Sequence, residues 1–186
     1  MKIGDMKFMK RTQRDIAVAV RCFVRHKKGA AAIEFGLVAV PFIALIFAIM
    51  ETALVFFAGQ SLEAAVATSG RLVMTGQAQN GNWSQSQFKT QVCNTTSVLF
   101  DCANKLYVNV QNFSDFTSAT ATPPYNNGQL DTTKMQYQPG TQGSIVVVQL
   151  YYQWPIYVSL LSNNLSNQNG GNRLLIATAA FKNEPY

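Results

Sequence analysis

Past residue 29 this sequence contains no histidine; the single one, His26, lies in the basic stretch that precedes it. General acid or base work in the remainder would fall to Glu63, Asp101, Asp115, Asp131 or Glu184, and these are scattered without a paired arrangement. Nor is there a nucleophile-elbow pattern, a phosphate loop, a dinucleotide fingerprint or a metal-ligand spacing. Two cysteines in this part are too few for a zinc site. An enzyme reading would need a cleft with converging acids, so the chain is read as non-enzymatic and without a cofactor.

Positive charge is equally scarce in the body of the chain. Nine of the fifteen Lys and Arg residues precede Gly29, against only Asp5 and Asp15, which makes the leader +7 and leaves the rest at −1. Nucleic-acid binding, which wants basic residues clustered on a folded surface, loses its support. A basic flank on one side of an apolar span instead sets orientation, because nearby Lys and Arg stay cytoplasmic. The leader is therefore expected inside, and everything past Gly59 outside the cytoplasm.

The apolar span is what the chain has in quantity. From Phe35 to Met50 no residue carries a charge, and past Glu51 the apolar character resumes through Phe57. A helix needs roughly 20 residues to cross a hydrocarbon core of about 30 Å. Ala30 to Gly59 supplies enough. Beyond it, Leu62, Ala65, Val66, Leu72 and Val73 keep a spacing that fits one helical stripe, so a single helix is predicted over 30–75, with a kink near Pro41. The leader carries Ile16, Val18, Val20, Phe23 and Val24 among its basic residues, and reads either as a short amphipathic helix on the inner membrane surface or as disordered chain. An Ala65-Val66-Ala67 match leaves cleavage by general signal peptidase as an alternative to an uncut or differently cut span.

Three cysteines fit this topology. Cys22 lies on the reducing side, while Cys93 and Cys102 sit nine residues apart in the exported part, where thiols are oxidised. They are expected to bond, closing a loop worth about 2 to 3 kcal/mol; the alternative is two free thiols. Residues 76–88 read as a polar linker, followed by a short helix over 86–92 with Ser84 or Ser86 as its cap. Three strands are predicted, over Lys105–Val110, Ser144–Trp154 and Arg173–Lys182, with the second the strongest because it is rich in β-branched and aromatic residues. Ser114–Gly143 and Ser162–Gly171 read as loops, the first exposed, although its length leaves room for part of it to be ordered on the sheet.

Glu34 is the odd residue, a carboxylate at the start of an apolar helix. If the chain were cut after Gly29, Ala30 would become a new N-terminus with an amine whose unperturbed pKa is near 7.7 to 8.0. In parallel helices staggered along their axes, Glu34 of one subunit then meets the Ala30 amine of the next. The pair neutralises two groups that are expensive alone in lipid, and only in the right register. The other reading has Glu34 at the headgroup level beside Lys27 or Lys28 in an uncut anchor.

A basic leader, a Gly at the junction, the start AAAIEF and an apolar helix directly after it resemble class III prepilins and pseudopilins. The closer resemblance is to the TadE-like family of tight-adherence (Flp-type, type IVc) pilus assembly proteins. It rests on RHKKGAAAIEFGLVAVPFIALIFAIMETALVFF, on FDCANKLYVNVQNF at 100–113, on YQPGTQGSIVVVQLYYQWP at 137–155 and on the ending AAFKNEPY. The resemblance implies insertion in the bacterial inner membrane, cleavage between Gly29 and Ala30 by a prepilin peptidase, and service as a minor pilin or pseudopilin. Its partners would be that peptidase, other pilins and minor pilins, and the inner-membrane assembly platform, with residence in the surface pilus after assembly.

The expected architecture is α+β and pilin-like: a basic cytoplasmic leader over 1–29, a long helix over 30–76 that spans the membrane in its first half, and a β-rich extracytoplasmic domain with a small antiparallel sheet over 77–186. The alternative is an uncleaved single-pass protein whose periplasmic domain binds a partner in the envelope.

Overall fold

The computed structural model describes residues 27–96, 100–158, 165–168 and 170–186. The leader up to residue 26, with Cys22, His26 and its expected amphipathic helix, lies outside the described residues, as do residues 162–164 and 169 of the loop expected over 162–171. The chain forms two compact units, Met1–Phe47 and Ala48–Tyr186.

One helix, α1, runs Lys27–Met74 and continues through Pro41. From Phe35 to the end of the first unit it is apolar on every side: Phe35, Leu37, Val38, Val40, Phe42, Ile43, Leu45, Ile46 and Phe47 are all exposed. A helix that is apolar all round belongs inside a larger apolar phase.

In the second unit α1 changes character. Glu51, Val55, Ala58, Leu62, Ala65, Val66, Ser69 and Val73 are buried. Steps of three and four residues place them on one face, which packs against the sheet domain. The predicted stripe is therefore present, except that Leu72 stands beside it and is half-buried. Ser69 tolerates burial because its hydroxyl donates to the Ala65 carbonyl at 2.6 Å.

The polar stretch after α1 is less of a linker than its composition suggests. It holds a single turn, α2 (Gln77–Asn80), and the start of α3 (Gln85–Thr95). Ser84 caps α3 in a capping box with Gln87, which satisfies two amides at the helix start. A second turn, α4 (Cys102–Lys105), leads into β1 (Leu106–Phe113). Two long strands complete the main sheet, β4 (Ile145–Pro155) and β5 (Asn172–Lys182), in the antiparallel order β1-β4-β5.

The strongest predicted strand, β4, is the central one. Eight of its side chains in a row, Ile145–Tyr152, are buried, so both of its faces need cover. On one face Val146, Val148, Leu150, Tyr152 and Trp154 join the α1 stripe in the main core. On the other, Tyr151 packs with Leu130 and Leu174.

That second face is covered by the segment expected as an exposed loop. Within Ser114–Gly143 a small hairpin forms from β2 (Tyr125–Asn126) and β3 (Gln129–Leu130). Its turn residues Asn127 and Gly128 have φ of 49° and 75°, the left-handed pair that a tight hairpin demands. Two buried amides pin the segment down. Asn109 and Gln149 stand opposite each other in the β1–β4 register, and Asn109 donates to Gln149 at 3.1 Å. Gln149 in turn donates to the Ala121 carbonyl, and the Gln136 amide donates to Asn109, both at 2.8 Å. A buried amide must find partners, and here the partners are the covering segment. Past it, Tyr137 bridges the free side of β1 at Val110.

Contacts along α1 set the direction of β5. Phe181 lies against Gly70, where an added Cβ would come within 3.0 Å of the ring. The Glu184 amide donates to the Met74 carbonyl at 2.9 Å, satisfying one of the open carbonyls at the helix end. β5 therefore runs in the direction of α1, and β4 returns toward Glu51.

Candidate functional site

Gly29 and Ala30, the expected processing junction, lie in the first turn of α1 and are exposed. Nothing stands within 4 Å of where a Cβ would sit on Gly29. A glycine weakens a helix by about 1 kcal/mol relative to alanine, so the backbone at the junction opens more easily than its neighbours. Glu34, one turn on, is also exposed, and no hydrogen bond or ion pair joins it to a described side chain. Around and after it the surface is apolar, and α1 is long and apolar enough to cross a membrane. That is consistent with a membrane anchor.

A second carboxylate, which sequence reasoning passed over, bounds the uncharged run at its other end. Glu51 is 5% exposed. Its two oxygens accept the backbone amides of Tyr157 and Val158, the latter at 2.7 Å. Burying a carboxylate is costly unless hydrogen bonds to its charged form compensate, and two adjacent amides do so here. The clamp holds the chain just after β4 against α1, while the Tyr157 ring stays 76% exposed. The one available signal was position: Glu51 stands four residues before Val55, on the buried stripe.

Cys93 of α3 and Cys102 of α4 form a disulfide with their Cα atoms 5.7 Å apart. The bridge is welded to the sheet from both sides. Phe100 packs edge-on against Tyr152 at 4.6 Å between ring centroids, and the Asp101 amide donates to the Tyr152 hydroxyl at 3.0 Å. Lys89 donates to the Ala103 carbonyl at 2.8 Å. Partial burial lowers its pKa, an effect the nearby Asp101 opposes.

The far end of α1 is tied by amides. Asn183, buried, donates to the carbonyls of Pro139 and Thr141, each at 3.0 Å, and Gln79 donates to Val73 and Pro139. Gly76, at φ 76°, turns the chain out of the helix, and the Tyr186 ring lies where its side chain would be. The other acids do no shared work. Asp115 is held down to about 2 by hydrogen bonds from Thr117, Ser118 and Ser114 within its own turn, and Asp131 pairs with Lys134 at 3.5 Å. Among the described residues no group of three or more His, Cys, Asp or Glu gathers.

What the geometry offers is therefore a small α+β domain on the second part of one long apolar helix. This places the chain in the class of single-helix α+β proteins with a membrane-anchor-like segment. Within that class, residues 29–71 match the family described as TadE-like protein. The match lies wholly in α1, and it agrees with the resemblance read from the sequence. Searches of curated proteins and of solved structures found no match to the chain.

Proposed function

We propose that this protein is a minor pilin or pseudopilin of a tight-adherence pilus, held in the bacterial inner membrane by α1 with its leader in the cytoplasm and its sheet domain in the periplasm. A prepilin peptidase cuts between Gly29 and Ala30. The observation that carries the reading is the TadE-like match itself, which opens on Gly29 and takes in Glu34. Glu34 then neutralises the Ala30 amine of a neighbouring subunit as helices leave the membrane in axial register. An exposed carboxylate without a described partner supports this, because it is free to take one from another chain. The partners are the peptidase, other pilins and the assembly platform.

The test is intact mass and N-terminal sequence of the protein from membranes of cells with and without the prepilin peptidase, alongside Glu34→Gln. A start at Ala30 that needs the peptidase, with Glu34→Gln inserting normally but failing to assemble, is the expected result. A start at Met1 in both strains, with Glu34→Gln silent, would favour an uncut anchor whose periplasmic domain binds an envelope partner.

A further inference from the structure

We propose that the end of the sheet domain nearest Glu51 carries a binding site for one bilayer phospholipid with an amine headgroup. The inference rests on the reading of α1 as a membrane span. Two adjoining concavities on the second unit carry it. One is an open, almost wholly apolar groove along Ala48, Ile49, Thr52, Ala53 and Phe56. The other is a cavity of about 260 Å³ that shares Thr52 and Phe56 with the groove and lies further along α1. Val55, Phe56 and Leu175 line its apolar side; Gln60, Glu63 and Arg173 bring polar ends to it.

The order of the two is the order of a lipid. The groove lies toward the uncharged run, where an acyl chain sits, and the polar cavity lies toward the folded domain, where a headgroup sits. Pockets that enclose whole small molecules start at about 300 Å³, so this one takes a headgroup and leaves the tails on the helix. Phe56 is 71% exposed although it borders a folded domain, and Phe57 beside it is exposed too. Tyr157, held by Glu51, adds the amphipathic ring that membrane–water interfaces favour.

The charges select the headgroup. Arg173 is oriented by donating to the Leu165 carbonyl at 2.9 Å. Among the described residues no carboxylate lies within ion-pair distance of it. A guanidinium in that state suits a phosphate, which it can grip through two parallel hydrogen bonds. Glu63 lines the same cavity without pairing to Arg173, its carboxylate receiving only the Gln60 amide at 3.5 Å. It suits an ammonium. A phosphate and an ammonium two carbons apart describe an ethanolamine headgroup.

Gly59 supplies a clean probe, since it lines the cavity and a Cβ there meets nothing within 4 Å. The full chain, purified in mild detergent and stripped of lipid, is titrated with dioleoylphosphatidylethanolamine or dioleoylphosphatidylglycerol and read by native mass spectrometry. Wild type is expected to retain one ethanolamine lipid. Arg173→Gln weakens retention of both lipids by about tenfold or more, the loss of one charge-assisted contact. Gly59→Leu, which fills the cavity and favours the helix, abolishes retention while the circular dichroism spectrum is unchanged. Glu63→Gln removes the preference for ethanolamine over glycerol. Equal retention by wild type, Arg173→Gln and Gly59→Leu overturns the site, and so does displacement of the lipid by millimolar inorganic phosphate, which would mark a plain anion site. Release of the protein from membranes by alkaline carbonate is a separate result, and overturns the membrane reading beneath it.

Discussion

A carboxylate oxygen of Glu51 lies 2.7 Å from the amide nitrogen of Val158, joining the middle of α1 to the chain that leaves β4. The partner oxygen takes the amide of Tyr157. In composition Glu51 only interrupts an apolar run, yet in the fold it ties the chain that leaves β4 to α1. Glu51→Gln keeps the shape but offers one acceptor where two are used and turns an NH2 toward an N–H. The expected loss is about 1.5 to 3 kcal/mol, the range for hydrogen bonds to a charged group. Denaturation in detergent micelles measures it, and hydrogen exchange should show the amides of Tyr157 and Val158 losing protection. Unchanged exchange at those two amides would count against the clamp.

Gly76 and Tyr186 form a second joint, at the other end of the domain. An alanine at a left-handed φ costs about 1 to 2 kcal/mol by itself, and here its Cβ would also overlap the Tyr186 ring. Gly76→Ala should therefore destabilise by more than the backbone term. In a Tyr186→Ala background it should cost the backbone term alone. A double-mutant cycle on thermal unfolding reads the difference, and strict additivity would mean that the ring does not rest on Gly76.

Two tyrosines, Tyr151 buried and Tyr137 partly so, predict an alkaline limit. Burial pushes the phenols of Tyr137 and Tyr151 up to about 12, while an unfolded tyrosine ionises near 10. Between these values the unfolded chain has released protons that the folded one still holds. Stability is thus complete below about pH 10 and falls as pH rises toward 12. Tyr137→Phe and Tyr151→Phe together should move that fall to higher pH, as followed by circular dichroism across an alkaline titration. Tyr137→Phe should also be neutral or stabilising at pH 7, because its buried hydroxyl has no partner among the described residues.

Replacing both Cys93 and Cys102 by serine opens a short loop and should lower stability by about 2 to 3 kcal/mol. The same drop in melting temperature should appear when wild type is unfolded under a reductant, and the double variant should show no response to that reductant. A reductant response that survives in the double variant would place the effect elsewhere.

Much of this architecture is legible in single residues. The apolar run, the stripe after it, the capped helix at Ser84 and three of the strands all follow from short-range patterns, and those patterns reflect one element meeting one environment. The Asn127-Gly128 turn is an equally short-range signal, but it sits inside a long polar segment whose composition reads as loop. Glu51, Asn109 and Gln149 were not legible at all. Each is a polar residue whose meaning depends on a partner between 27 and 107 residues away, and no local pattern distinguishes a polar residue facing water from one facing a distant amide.

By itself the sequence determined the division of this protein into a basic leader, one long apolar helix and an α+β body, because charge, hydropathy and strand propensity are properties of stretches of chain. It also determined the family resemblance, which rests on the stretch from Arg25 onward. The tertiary structure decided the rest: that β4 takes the centre of the sheet, that β5 runs along α1, that the 114–143 segment covers the second sheet face, and that Glu51 holds the domain against the helix. Those outcomes depend on which buried polar groups and apolar faces find each other across the chain. Burial must satisfy all of them at once, and only the assembled fold shows which pairing does so.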